Sequence, residues 1–257
     1  MNKHSSVLFA GCSFTHTCGF DDINLEFTWP ALFSKKYQLD VKNIALGGMS
    51  NDEIFYRSIE NTVESKPDIA IVMWSHIRRR WEYYSDNNVD DYTIMNTSCT
   101  GHNDHLDEVH QFAKLGQVYF VNDYVNIKKW FCYSIALANY FKNNGIDYIF
   151  LRGFDNQIDE LQGIFHRPDE NLNLASASEN VRSMFDFTNR PDDYILKKVK
   201  ELKSLYTATA KLNWVNLSSP SFTDMSFDFA DDQIHPGKLS NKELYVILAN
   251  YYETVYS

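Results

Sequence analysis

Apolar residues gather along this chain in short runs divided by polar turns, and strand-like runs alternate with helix-like spacing. Val7 to Ala10 is an apolar run stopped by Gly11, which predicts a buried strand feeding a tight turn. Trp29 to Tyr37 predicts a helix, and Val41 to Leu46, stopped by Gly47-Gly48, a second strand. Asn51 to Val63 then sets Ile54, Phe55, Ile59 and Val63 on one helical face. Ile69 to Trp74 is the most continuous apolar run, as expected of a parallel strand covered on both faces. Phe112 to Asn143 carries Ile127, Trp130, Phe131 and Ile135 near helical spacing, with Asn144-Gly145 as its stop. Tyr148 to Leu151 and Trp214 to Leu217 predict strands four and five; Tyr194 to Ala210 and Lys242 to Tyr252 predict helices.

This alternation implies an α/β fold: a flavodoxin-like, doubly wound sheet of about five parallel strands with helices on both faces. Polar, weakly periodic stretches at about 78–110 and 153–193 break the rhythm and read as insertions into a single domain spanning 1–257. The second is longer than ordinary connections, and fits a lid or small subdomain as well as an elaborated surface loop.

Composition narrows the function. With 44% hydrophobic and 23% charged residues the chain has ordinary globular usage, which excludes wholesale disorder. A net charge of −10 disfavours a phosphate backbone as partner, so no nucleic acid is expected. Arg78-Arg79-Arg80, the one basic run, reads either as a solvated loop or as an anion clamp. No run approaches the roughly 20 apolar residues that span a bilayer, and Val7 to Ala10 is too short for a signal-peptide core. The expectation is a cytoplasmic protein without membrane contact. Cys12, Cys18, Cys99 and Cys132 hold no CxxC pair and are expected as free thiols; Cys12, His16 and Cys18 lack a second ligand cluster, so no metal is expected. The aromatic share, 15%, fits an aromatic core or a carbohydrate-stacking surface.

In open α/β sheets ligands bind beyond the carboxyl ends of the strands, so the residues just after each strand matter most. After the first strand, Gly11-Cys12-Ser13-Phe14-Thr15 permits a sharp turn that presents Ser13, as nucleophile or as a plain turn residue. After the second, the paired glycines of Asn43-Ile44-Ala45-Leu46-Gly47-Gly48-Met49-Ser50-Asn51 let backbone N–H groups approach a ligand oxygen, or simply turn the chain into a helix capped by Ser50 or Asn51. Before the last helix, Asp232-Gln233-Ile234-His235-Pro236 sets a carboxylate beside an imidazole, the pairing that orients a general base; it also fits an ordinary surface turn.

Taken together and in this order, these three segments resemble blocks I, II and V of the SGNH/GDSL hydrolases. The resemblance implies a metal-free, cofactor-free serine hydrolase in which Ser13 is the nucleophile and Asp232 and His235 complete a triad. Its oxyanion hole would use the N–H groups of Ser13 and Gly48. Two departures stand out: Cys12 replaces the family's Asp, and Trp74-Ser75-His76-Ile77-Arg78 follows the third strand where Gly-x-Asn-Asp belongs. Gly101-His102-Asn103-Asp104 has the missing letters far downstream; otherwise His76 or Ser75 supplies the third donor. The substrate expected is a small-molecule or carbohydrate ester, an O-acetyl sugar first. The alternatives are a catalytically degenerate SGNH-fold module that binds a glycan or protein, and a flavodoxin-like nucleotide or flavin binder using the Gly47-Gly48 turn for phosphate.

Overall fold

The structure is a computed structural model, and it describes residues 3–16, 18–20, 25–77, 123–154, 161, 164–166, 192–217 and 221–256. Four strands, β1 (Ser6–Ala10), β2 (Asp40–Asn43), β3 (Ile69–Trp74) and β4 (Asp147–Arg152), form a parallel sheet in the order β2-β1-β3-β4. The register sets Val7 beside Val41 and Ile69, and Ile69 beside Asp147. Every residue of β3 is buried, as its unbroken apolar run requires of a central strand.

Around the sheet lie α1 (Ser13–His16), α2 (Trp29–Tyr37), α3 (Asn51–Ser65), α4 (Asp123–Asn143), α5 (Asp192–Thr209), α6 (Phe222–Met225) and α7 (Lys238–Tyr256). From β1 the chain runs through α2 to β2 on one side; from β2 it returns through α3, past β1, to β3. With right-handed crossovers this reversal places α2 and α3 on opposite faces. Accordingly α2 packs on α7, while α3, α4 and α5 pack in series. Phe9 on β1 meets Trp29 and Phe33 of α2 edge-on, and Phe33 in turn meets Tyr252 of α7. On the α4 side, Phe150 of β4 packs against Trp214, which leans on Trp130.

Two expected strands are shorter than their apolar runs. The second ends at Asn43, because Asn43 Oδ1 turns back to accept the Ala45 N–H at 3.1 Å. Ile44 adds one last bond to β1, its N–H donating to Phe9 O at 2.9 Å, and Ile44 and Ala45 are buried where the chain then turns away. The fifth is reduced to a single parallel bridge between Phe150 and Trp214, closed by the Phe150 N–H on Asn213 O and the Val215 N–H on Phe150 O. Helices α1 and α6, four residues each, carried no periodic signal in the sequence. The proposed insertion at 78–110, with Arg78, Arg79, Arg80, Cys99 and Asn103, lies outside the described residues, as does most of 153–193. No helix among the described residues is long and apolar enough to cross a membrane.

Candidate active site

The strand order reverses between β1 and β3, and the crevice at such a switch point opens beyond their carboxyl ends. The chain leaves β1 through Gly11, where a Cβ would stand 2.2 Å from Thr15 Oγ1 and 3.1 Å from the Met73 carbonyl. Only glycine lets the turn pass this close to β3. The N–H groups of Thr15 and His16 both donate to Cys12 O at 2.9 Å, closing the turn, and Cys12 itself is a small buried residue. Ser13 opens α1. Its hydroxyl and its N–H make no hydrogen bond among the described residues, so both are available to a ligand.

The turn after β2 is bound to this one. Asn43 Nδ2 donates to Thr15 O at 3.0 Å, and a Cβ on Gly47 would lie 3.2 Å from Cys18 Sγ. Gly48 has φ +80° and an N–H with no acceptor among the described residues. Ser50 then caps α3, accepting the Glu53 N–H at 3.3 Å.

Beyond β3, Asn51 holds the backbone of Ser75 from both sides. Its Oδ1 accepts the Ser75 N–H at 2.7 Å and its Nδ2 donates to Ser75 O at 3.0 Å. That N–H is therefore committed to the protein. The His76 ring meets Phe154 edge-on at 5.9 Å, and Phe154 stacks on Phe14 at 4.7 Å, which puts His76 one ring away from the Ser13 turn.

The Asp232–His235 turn comes to the same place. Asp232 Oδ1 accepts the N–H groups of Ile234 and His235, each at 3.0 Å, while Oδ2 meets His235 Nδ1 at 2.5 Å. One carboxylate thus shapes the turn and orients the ring. Burial pushes its pKa up, but the two N–H groups and the imidazole outweigh this and hold Asp232 below the usual carboxylate range. Gln233, at φ +57°, provides the left-handed step that the turn needs.

Two contacts dock this turn on the Ser13 segment. The His235 ring stands edge-on to Phe14 at 5.7 Å, and a Cβ on Gly19 would lie 2.8 Å from the Asp232 carboxylate. No hydrogen bond joins Ser13 Oγ to His235. Of the residues singled out from sequence, the rings of His235 and His76 are joined to the Ser13 turn through Phe14 and Phe154, and Gly48 follows the turn in which Asn43 binds Thr15 O; Asn103 lies outside the described residues. Cys18 Sγ is 3.4 Å from His16 Nδ1, and no three His, Cys, Asp or Glu converge as metal ligands among the described residues. Sequence reasoning passed over Gly19, whose contact is long-range, and Asn51, whose amide grips the chain beyond β3 instead of capping α3.

The sequence matches no protein-family model and no curated protein. Among solved structures, the chain is similar to TesA, with 15% identity over 97% of this chain and 99% of that one, at a TM-score of 0.50. The fold is that of the SGNH/GDSL hydrolases. The chain is also similar to a catalytic mutant of the acetylxylan esterase Axe2 from Geobacillus stearothermophilus, at 14% identity over 98% and 96% of the two chains and a TM-score of 0.48. A GDSL-like lipase from Bacteroides thetaiotaomicron gives 13% identity, 97% and 88% coverage, and 0.43. An SGNH/GDSL fold fixes where a site can form; the chemistry has to come from the side chains that border it.

Proposed function

We propose that this protein hydrolyses ester or acyl bonds through Ser13, His235 and Asp232. The observation that carries the reading is the placement of an Asp232-oriented imidazole against Phe14, the neighbour of Ser13. In this mechanism Ser13 Oγ attacks the carbonyl carbon as its proton passes to His235 Nε2, while Asp232 steadies the imidazolium from the other side of the ring. The N–H groups of Ser13 and Gly48 donate to the oxyanion, with His76 as the third donor in place of the family's Asn. Collapse of the intermediate breaks the bond to the leaving oxygen, which takes the proton from His235; water, activated by the same imidazole, then releases the acid. Ser13 Oγ and His235 Nε2 have to close to about 2.6–3.2 Å for the transfer, a contact that tightens once substrate is bound.

An O-acetyl ester on a carbohydrate is the substrate class proposed, consistent with the acetylxylan esterase among the structural neighbours and with the chain's aromatic share of 15%. The test is turnover of p-nitrophenyl acetate and an acetylated sugar by the wild type, Ser13→Ala and His235→Ala. Each variant is expected to lose ~10³-fold or more in kcat with its fold preserved. Turnover indifferent to both, or none on a broad ester panel, rejects the hydrolase and favours the alternative suggested by the replaced third block: an SGNH-fold module that binds a glycan or protein.

A further inference from the structure

A buried chain of hydrogen bonds runs between the Ser13 turn and the His235 turn. At one end the carbonyl of Phe14 accepts from the Trp29 indole Nε1 at 3.0 Å. The backbone N–H of Trp29, in the first turn of α2 where no helical partner exists, donates to Asn241 Oδ1 at 3.1 Å. Asn241 Nδ2 donates to the carbonyls of Pro236 and Gly237, both at 2.9 Å. Trp29 is fully buried and Asn241 is 3% exposed. The two outer carbonyls, Phe14 O and Pro236 O, belong to the residues that directly follow Ser13 and His235.

Neither turn anchors itself to the other by backbone pairing. Helix α1 is four residues long, too short to be rigid unaided. The His235 turn is closed internally, by the Ala230 N–H on His235 O and the Gly237 N–H on Asp228 O. Beyond the Phe14–His235 and Gly19–Asp232 contacts, what joins them is an amide whose oxygen and both hydrogens are in use, and a fully satisfied buried network of this kind fixes geometry rather than merely filling space. We infer that Asn241 and Trp29 are positioning residues that set the separation between Ser13 Oγ and His235 Nε2. The inference rests on the reading of these two as nucleophile and base.

The test uses Trp29→Phe, which removes the indole donor and keeps an aromatic ring, and Asn241→Asp, which keeps the shape and the acceptor but turns an oxygen toward two carbonyls. Both are expected to lower kcat on p-nitrophenyl acetate by ~10- to 100-fold with KM within about twofold, since small misplacements of reacting groups are that costly. In a His235→Ala background Trp29→Phe is expected to change the residual rate by less than about twofold, because the alignment no longer has a base to serve. Wild-type kcat in Trp29→Phe, or an equal loss in the His235→Ala background, overturns the inference. If Asn241→Asp does not fold, Trp29→Phe alone decides. Should Ser13→Ala and His235→Ala retain wild-type turnover, the triad itself has failed; should they lose it while Trp29→Phe does not, only the positioning role has.

Discussion

Gly19 shows how one residue can matter through what it lacks. Its φ is +86°, and a side chain there would press into the Asp232 carboxylate. Gly19→Ala is expected to cost ~1–2 kcal/mol of stability from the left-handed backbone alone, measured by urea denaturation. Because the added methyl also displaces Asp232, kcat should fall by more than the unfolded fraction explains. Asp232→Asn probes the same contact differently: the amide cannot hold the imidazolium, and ~10²- to 10⁴-fold loss of kcat is expected with little change in KM. At this scale the sequence was informative where chemistry is local. Asp232 and His235 are three apart, so their pairing follows from one turn. Gly19 meets Asp232 across more than two hundred positions, and nothing near either residue announces it.

Among the elements, the amino ends of β1 and β3 are clamped by Asp68. Its Oδ2 accepts the N–H and hydroxyl of Ser5 at 2.8 and 2.7 Å and those of Ser6 at 3.0 and 3.1 Å. These bonds, those of Ser5 foremost, hold the carboxyl down at about 2. A pKa lowered by folding stabilises the native state above the unfolded value, near 3.8, and the contribution disappears as pH falls toward 2. Asp68→Asn is therefore expected to lower stability by ~1–2 kcal/mol at pH 7. The gap from wild type should close between about pH 4 and pH 2, as followed by thermal melts across that range. Element by element, β3 and α2 were legible to their ends, since an apolar run and a helical face report burial directly. The second and fifth strands were not: Asn43 stops one by a side-chain bond, and the other is cut to a bridge beside Trp214.

For the whole molecule, the packing of α2 on α7 supports both turns that border the crevice, because Trp29 opens α2 and Asn241 lies in the first turns of α7. Phe33 sits in the middle of that layer, fully buried among Phe9, Tyr37 and Tyr252. Phe33→Ala is expected to cost ~3–5 kcal/mol, read from the denaturant midpoint, while the protein that remains folded keeps its kcat. Equal losses of kcat and stability would show that the layer sets the geometry of the crevice as well as the stability of the fold. The alternation of strands and helices and the Ser13 and Asp232–His235 turns were written in the sequence, because each depends on the periodicity or spacing of near neighbours. The approach of Gly19 to Asp232, the grip of Asn51 on Ser75 and the Trp29–Asn241 link were decided by the tertiary structure alone. They join residues that only crossovers and helix packing bring together, and no local pattern along a chain encodes such distances.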